Sequence, residues 1–242
     1  MTLPSNSEAL PAAARVLELF GPSSCGKSSL AARLVAGEGG PGFIHAQDRL
    51  LARAGLGWVR GRLPRTAVLH LVAAFGVLAT WREGRAFYRL AAAQALHGAW
   101  PGSLWLRLNL LRNAWKAAAI RLLAPRCARP GERLLMDEGP LQSANYLLVH
   151  HSVPPDPAAL EDFLRVVPLP DAAVYLRASE AELVERTLAR THPRVPAGSP
   201  AACARFVAHA LTVFERIAAE PRVAQRLVAP GSLRPGVREA CA

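Results

Sequence analysis

The sequence predicts an α/β protein built on a mostly parallel sheet, and three observations carry that reading. Short apolar runs alternate along the chain with longer stretches of helical periodicity. The first of these runs passes through a glycine loop directly into a helix, the order found at the start of a parallel β-α unit. The chain also has 242 residues, 51% hydrophobic and only 19% charged, which is enough apolar surface for one large core. A single domain over 1–242 is therefore expected.

Residues 14–20 (ARVLELF) read as a buried strand stopped by Gly21, and Ser28 to Val35 continue as a helix. After the turn-rich GEGGPG, Phe43 to His45 form a second strand running out at Gln47 and Asp48. Residues 50–123 have helical patterning, broken near Gly61, Gly84 and the Ala99-Trp100-Pro101-Gly102 turn into three or four helices. Arg133 to Met136 give a third strand that runs into Asp137-Glu138-Gly139-Pro140. Helical stretches at 141–151 and 157–166 precede a fourth strand at 172–177. Ser179 is placed to cap the next helix, with Glu182 completing a capping box, and that helix ends near Arg190 in the loop THPRVPAGSP. An amphipathic helix over 201–219, a fifth strand over 225–228 and a closing helical turn at 235–240 complete the chain.

Cysteine usage and the first residues bear on location. Cys25, Cys127, Cys203 and Cys241 are dispersed, with no CxxC pair and no histidine at metal-ligand spacing, so a reducing cytoplasm is expected. The first residues, MTLPSNSEALPAAAR, lack the basic-then-apolar order of a signal peptide. The longest apolar run, Thr66 to Trp81, contains His70 and lies between Arg65 and Arg82, short of the ~20 residues a spanning helix needs. A buried helix is the favoured reading of that run, with interfacial membrane contact the minority one.

The chemistry lies at the strand ends. Residues 21–28, Gly-Pro-Ser-Ser-Cys-Gly-Lys-Ser, satisfy G-x-x-x-x-G-K-[ST] between a strand and a helix, the context a phosphate-binding P-loop requires. The backbone of such a loop curls so that its N–H groups converge on phosphate oxygens at a helix N-terminus. Gly21, Ser23, Ser24, Cys25, Gly26, Lys27, Ser28 and Ser29 are its phosphate-binding candidates, with Lys27 on the β- and γ-phosphates and Ser28 on Mg²⁺. Cys25 could also be read as a reactive thiol, although a small loop filler is preferred.

LLMDE at 134–138 has the form of a Walker B strand. Asp137 would manage the metal and Glu138 would polarise the attacking group. Asp48, just past the second strand, is a further candidate for accepting a proton from a substrate hydroxyl, and a helix cap is its equal alternative. Arg186 and Arg190 share a helix face and Arg194 follows in the loop, where converging guanidinium groups would stabilise a transferring phosphoryl group. A solvated face paired with Glu182 and Glu185 is the plain alternative.

Together GPSSCGKSS at 21–29, LLMDEGP at 134–140 and AAVYLRASEAELVERTLAR at 172–190 resemble the P-loop kinases of the nucleoside and nucleoside-monophosphate kinase type, which include the thymidylate kinases. The resemblance covers about two-thirds of the chain. It implies a three-layer α/β/α P-loop NTPase fold with sheet order 2-3-1-4-5, ATP with Mg²⁺, and a lid over 190–200 carrying the arginines. The family's usual Asp-Arg pair after the third strand is Asp137-Glu138 here, and the resemblance fades between the second and third strands, where the family reads its acceptor.

That interval is unusual in charge. The chain carries a formal +11, yet 49–133 alone holds 14 Arg and one Lys against Glu83 and Glu132, a balance of +13, together with all five Trp. The rest of the chain sums to −2. A packed helical insertion with snorkelling arginines is the first reading of 49–133, then an acceptor-binding cap, then a membrane-surface helix system. Nucleic-acid binding comes last, since no recognised module or stacking platform is visible. The expectation from sequence is thus a cytoplasmic kinase transferring phosphate from ATP to a small-molecule acceptor. An ATPase switch and a non-catalytic nucleotide-binding protein are the alternatives.

Overall fold

The computed structural model describes residues 10–11, 14–37, 42–59, 61–97, 103–190 and 192–233. The expected closing turn at 235–240 and the turn at 99–102, with Trp100, lie outside the described residues, as does Cys241.

Four strands form the sheet: β1 (Val16–Phe20), β2 (Phe43–His45), β3 (Arg133–Met136) and β4 (Ala172–Tyr175). They lie in the order β2-β3-β1-β4 and every pairing is parallel. Helix α1 (Lys27–Val35) follows β1, and α2 (Ala46–Arg53), α3 (Arg62–Ala79), α4 (Trp81–His97) and α5 (Leu104–Cys127) fill the interval between β2 and β3. Between β3 and β4 come α6 (Ala144–Leu147) and α7 (Pro157–Val166). After β4 come α8 (Glu180–Ala189), α9 (Pro200–Ala219), α10 (Pro221–Ala224) and a 3₁₀ turn at Pro230–Leu233.

Among the described residues the expected five strands are four. Leu227 makes only an isolated parallel bridge to Ala173, at the sheet edge where a fifth strand would lie. The reason is local: Arg226 and Leu227 N–H groups bond back to the carbonyls of Val223 and Ala224, so the run is drawn into the turn after α10. What remains for the ladder is the Ala173 N–H on Arg226 O at 2.8 Å and the Val228 N–H on Ala173 O at 2.9 Å.

Alternation along β1 sorts the core into layers. Leu17 and Leu19 pack with Leu135, Val174 and helices α1, α8 and part of α9, whereas Val16 and Phe20 face the α2–α7 side. This arrangement is compatible with a three-layer α/β/α fold. On the second side Phe20 stacks on Tyr175 at 5.2 Å, and Phe87, Phe163, Phe206 and Phe214 complete a wholly buried aromatic centre.

One break in the helical interval differs from expectation. The chain bends at Thr80, not at Gly84, which sits inside α4. Thr80 Oγ1 donates to Gly76 O at 2.7 Å and lies 2.7 Å from the Tyr88 hydroxyl, so the bend is closed by a buried polar pair. Gly84 serves as clearance, since a Cβ there would come within 2.6 Å of the Tyr88 ring. The helical stretch expected over 141–151 shortens to α6, and α2 begins at Ala46, which puts Asp48 inside a helix. Ser179 does cap α8, accepting from Glu182 N at 3.3 Å, although the Glu182 carboxylate turns to Arg186 instead of closing a capping box. Among the described residues no single helix is long and apolar enough to cross a membrane.

Candidate functional site

β1 is buried along its whole length, so its carboxyl end delivers the chain to a fixed point, Gly21. From there the backbone turns through Gly21 (φ +146°), Ser24 (φ +68°) and Gly26 (φ +96°) into α1 at Lys27. Left-handed positions of this kind turn successive N–H groups to one side of the chain, the geometry of an anion nest. Lys27 Nζ donates to Gly21 O at 2.8 Å and Pro22 O at 2.7 Å, and lies 3.6 Å from Cys25 Sγ. Burial lowers the Lys27 pKa, with Cys25, Glu138 and Asp137 pulling it back up. Cys25 is itself buried among Leu19, Leu176 and Leu183, which fits the loop-filler reading.

A cleft of about 480 Å³ opens beside this loop. It brings together Ser23, Ser24, Gly26, Lys27, Ser28 and Ser29 of the loop and α1, Asp137 and Glu138 after β3, and Arg190 and Arg194 from the α8–α9 connection. These sequence candidates are far apart in the chain and adjacent in space because β1 and β3 are neighbouring parallel strands that end on the same side. Asp48 is not brought there: it is ion-paired with Arg65 of α3 and does not line the cleft. Nor does Arg186, which pairs with Glu182 and touches the loop at Ser24 O, 3.4 Å away.

Several residues that sequence reasoning passed over hold the site in shape. Glu18, in the middle of β1, is completely buried, and burial raises its pKa to about 8. Its Oε1 accepts from Gln142 N at 3.0 Å, while Gln142 Oε1 accepts from Gly21 N at 3.1 Å. The carboxyl group thereby ties the loop after β3 to the glycine loop. Gly139 completes the fit, because a Cβ there would overlap the Glu18 carboxyl group.

On the other wall, Ser23 Oγ meets His192 Nε2 at 3.4 Å and Asn145 Nδ2 at 3.3 Å. His192 Nδ1 accepts from Arg194 N at 3.3 Å, so the ring proton sits on Nε2 and points at Ser23. Burial, then the Arg194 charge, depress the His192 pKa to about 4 and keep the ring neutral. With two donors already on its oxygen, the Ser23 hydroxyl has its own proton for a third partner.

Arg194 is buried, with a pKa lowered to about 10 by desolvation and partly restored by Tyr146. Its NH1 donates to Asn145 O and, at 3.3 Å, to Val149 O, and the guanidinium lies over the Phe206 ring at 5.1 Å. Tyr146, close to Glu138, has its hydroxyl pKa raised by burial first and by the charge of that carboxylate second. The last wall is α5, which contributes Leu106, Asn109, Leu110 and Asn113.

The charged oxygen donors this cleft offers a cation are the Asp137 and Glu138 carboxylates, beside neutral ones that include the Ser28 hydroxyl. No group of three or more His, Cys, Asp or Glu side chains placed to hold a metal occurs among the described residues. Oxygen donors of this kind suit a hard cation. Comparison with protein-family models gives no match, and comparison with curated protein sequences gives none either.

Proposed function

We propose that this chain is a P-loop kinase of the nucleoside and nucleoside-monophosphate kinase type, cytoplasmic, which takes ATP with Mg²⁺ and passes the γ-phosphoryl group to a hydroxyl of a small-molecule acceptor. The observation that carries the reading is the convergence of a complete G-x-x-x-x-G-K-S loop and the Asp137-Glu138 pair on one cleft at the carboxyl ends of β1 and β3. A glycine-rich turn alone would not need carboxylates opposite it. Carboxylates alone would not need an amide nest.

In this reading the loop amides and the Ser23 hydroxyl hold phosphate oxygens, and Lys27 exchanges its resting carbonyl partners for them. That exchange replaces neutral acceptors by charged ones and restores the ammonium that burial disfavours. Ser28 and Asp137 would hold Mg²⁺, with phosphate oxygens and water as its further ligands. When bound, the ion neutralises charge on the phosphates. Glu138, exposed at the cleft beside Tyr146, accepts the proton of the acceptor hydroxyl. Arg190 and Arg194 line the opposite wall and supply positive charge toward the transferring group.

The test has two stages. ATP binding is measured by calorimetry for the wild type and Lys27→Ala, and the variant is expected to lose roughly 10²- to 10³-fold in ATP-dependent turnover. Equal binding and turnover in the two proteins would end the proposal. ATP consumption is then followed with nucleosides, nucleotides, sugars, antibiotics and lipid headgroups as acceptors. Consumption that rises only with an acceptor supports transfer, whereas strong consumption without one moves the assignment to an ATPase switch.

A further inference from the structure

The outward face of α3 exposes large apolar side chains. Leu71, Phe75 and Leu78, spaced to lie on one side of the helix, are 63%, 72% and 72% exposed, and the exposed positions between and beside them are Ala67, Ala74 and Ala79. No charged side chain interrupts this face over three turns. The face continues across to α5. A cavity of about 250 Å³ between the two helices is lined by Ala74, Val77, Leu108 and Leu111, and one turn before Leu108 the side chains of Leu104 and Trp105 stand 64% and 77% exposed. An apolar surface of this extent on one side of a monomer marks a contact site.

The charge around it says what kind of contact. Arg112 and Lys116 border the same cavity, within a segment whose balance is +13. Its two acids are already answered, Glu83 by Arg126 and Glu132 by Arg49. A second copy of the same segment would bring like charge against like charge. A surface that is apolar inside and anionic at its edge complements both properties at once. Spanning is a poorer match, because the two helices whose combined length would suffice, α3 and α4, meet at a bend of 112°.

We infer that the α3–α5 face is a membrane-docking surface, with Leu71, Phe75, Leu78 and Trp105 entering the headgroup region of an anionic phospholipid bilayer and the exposed Arg112 meeting its phosphates. This inference stands apart from the phosphoryl-transfer reading: neither needs the other.

Flotation of the full chain with vesicles tests it. Vesicles of phosphatidylcholine containing phosphatidylserine are expected to bind at least about tenfold more protein than phosphatidylcholine alone, with the difference shrinking in high salt. The triple variant Leu71→Ser, Phe75→Ser, Leu78→Ser is expected to lose at least about tenfold of that binding. Arg112→Ser loses roughly fivefold on the anionic vesicles only. Should the triple variant fail to fold, Trp105→Ser on the other helix carries the same test alone, again with loss of binding expected. Absence of flotation on anionic vesicles, equal binding to both compositions, or unchanged binding by these variants overturns the inference. So does sedimentation showing a dimer that the α3 substitutions dissociate.

Discussion

Helices α9 and α3 are of similar length and both are rich in alanine and large apolar residues, yet they are used in opposite ways. In α9 the apolar residues Phe206, Val207, Val213, Phe214 and Ile217 are buried against the sheet, and the exposed side carries Arg205, Thr212 and Glu215. In α3 the inward side is equally apolar, with Leu69, Ala73 and Val77 buried, but the outward side is Leu71, Ala74, Phe75 and Leu78. Apolar content therefore does not report burial, and what separates the two helices is whether polar residues occupy the remaining face. The same contrast extends to their surroundings. Around the cleft, Glu18, Gln142 and Arg194 make hydrogen bonds that reach across the chain, whereas the α3–α5 side leaves apolar surface exposed.

The sharpest way to break this contrast is to make the same change in both helices. Phe214→Ala is expected to cost about 3–5 kcal/mol, because the ring is wholly buried beside Phe20 and its removal leaves a cavity. Urea denaturation measures it, and a cost below ~1 kcal/mol would remove the α9 side of the comparison. Arg194→Ala should cost roughly 2–4 kcal/mol, since two buried carbonyls lose their donor and the Phe206 ring loses its cation.

Glu18→Gln sharpens the contrast by changing sign. A carboxyl whose folded pKa is about 8 against an ordinary 4.5 keeps its proton longer in the folded state. Stability then falls as pH rises from 4.5 to 8 and levels off above that range. The amide variant is expected to lose that slope and to be more stable near pH 8 by about 1–3 kcal/mol, read from melts across pH. A variant with an unchanged pH profile would show that Glu18 does not titrate as described. Smallest of all is Phe75→Ala, within about 0.5 kcal/mol of the parent, because the side chain already lies in water. A cost above ~2 kcal/mol would mean that this face is covered in solution.

The legible part of the fold was the part written in local pattern. The strand–loop–helix at 16–35, the acids after β3 and the arginines after α8 were visible as spacing, and they meet in one cleft. Gln142, Asn145, Tyr146 and His192 are not legible, because each is polar in a loop or short turn and acquires its partners only when 139–151 and the α8–α9 connection fold against β1 and the glycine loop. Glu18 does carry a signal in the sequence. In VLELF it shares the inward side of the strand with Val16 and Phe20, so alternation alone already placed a carboxyl group in the core. Gly84 misled for the opposite reason, since its role is clearance for a ring four residues away and not a turn. The fifth strand failed on competition: backbone groups claimed by the turn after α10 were no longer free for the ladder.

Arg194 has a consequence for motion. By holding the carbonyls of Asn145 and Val149, it couples the α8–α9 connection to the α6 region. Withdrawing it alone would strand a buried cation's partners at a cost of about 3 kcal/mol, which corresponds to roughly one molecule in 150 with the contact open at any instant. Movement that carries both segments together avoids that cost. The slow coordinate beside this cleft is then the joint displacement of residues near 145 and 194, and exchange measurements on the two should report a common rate.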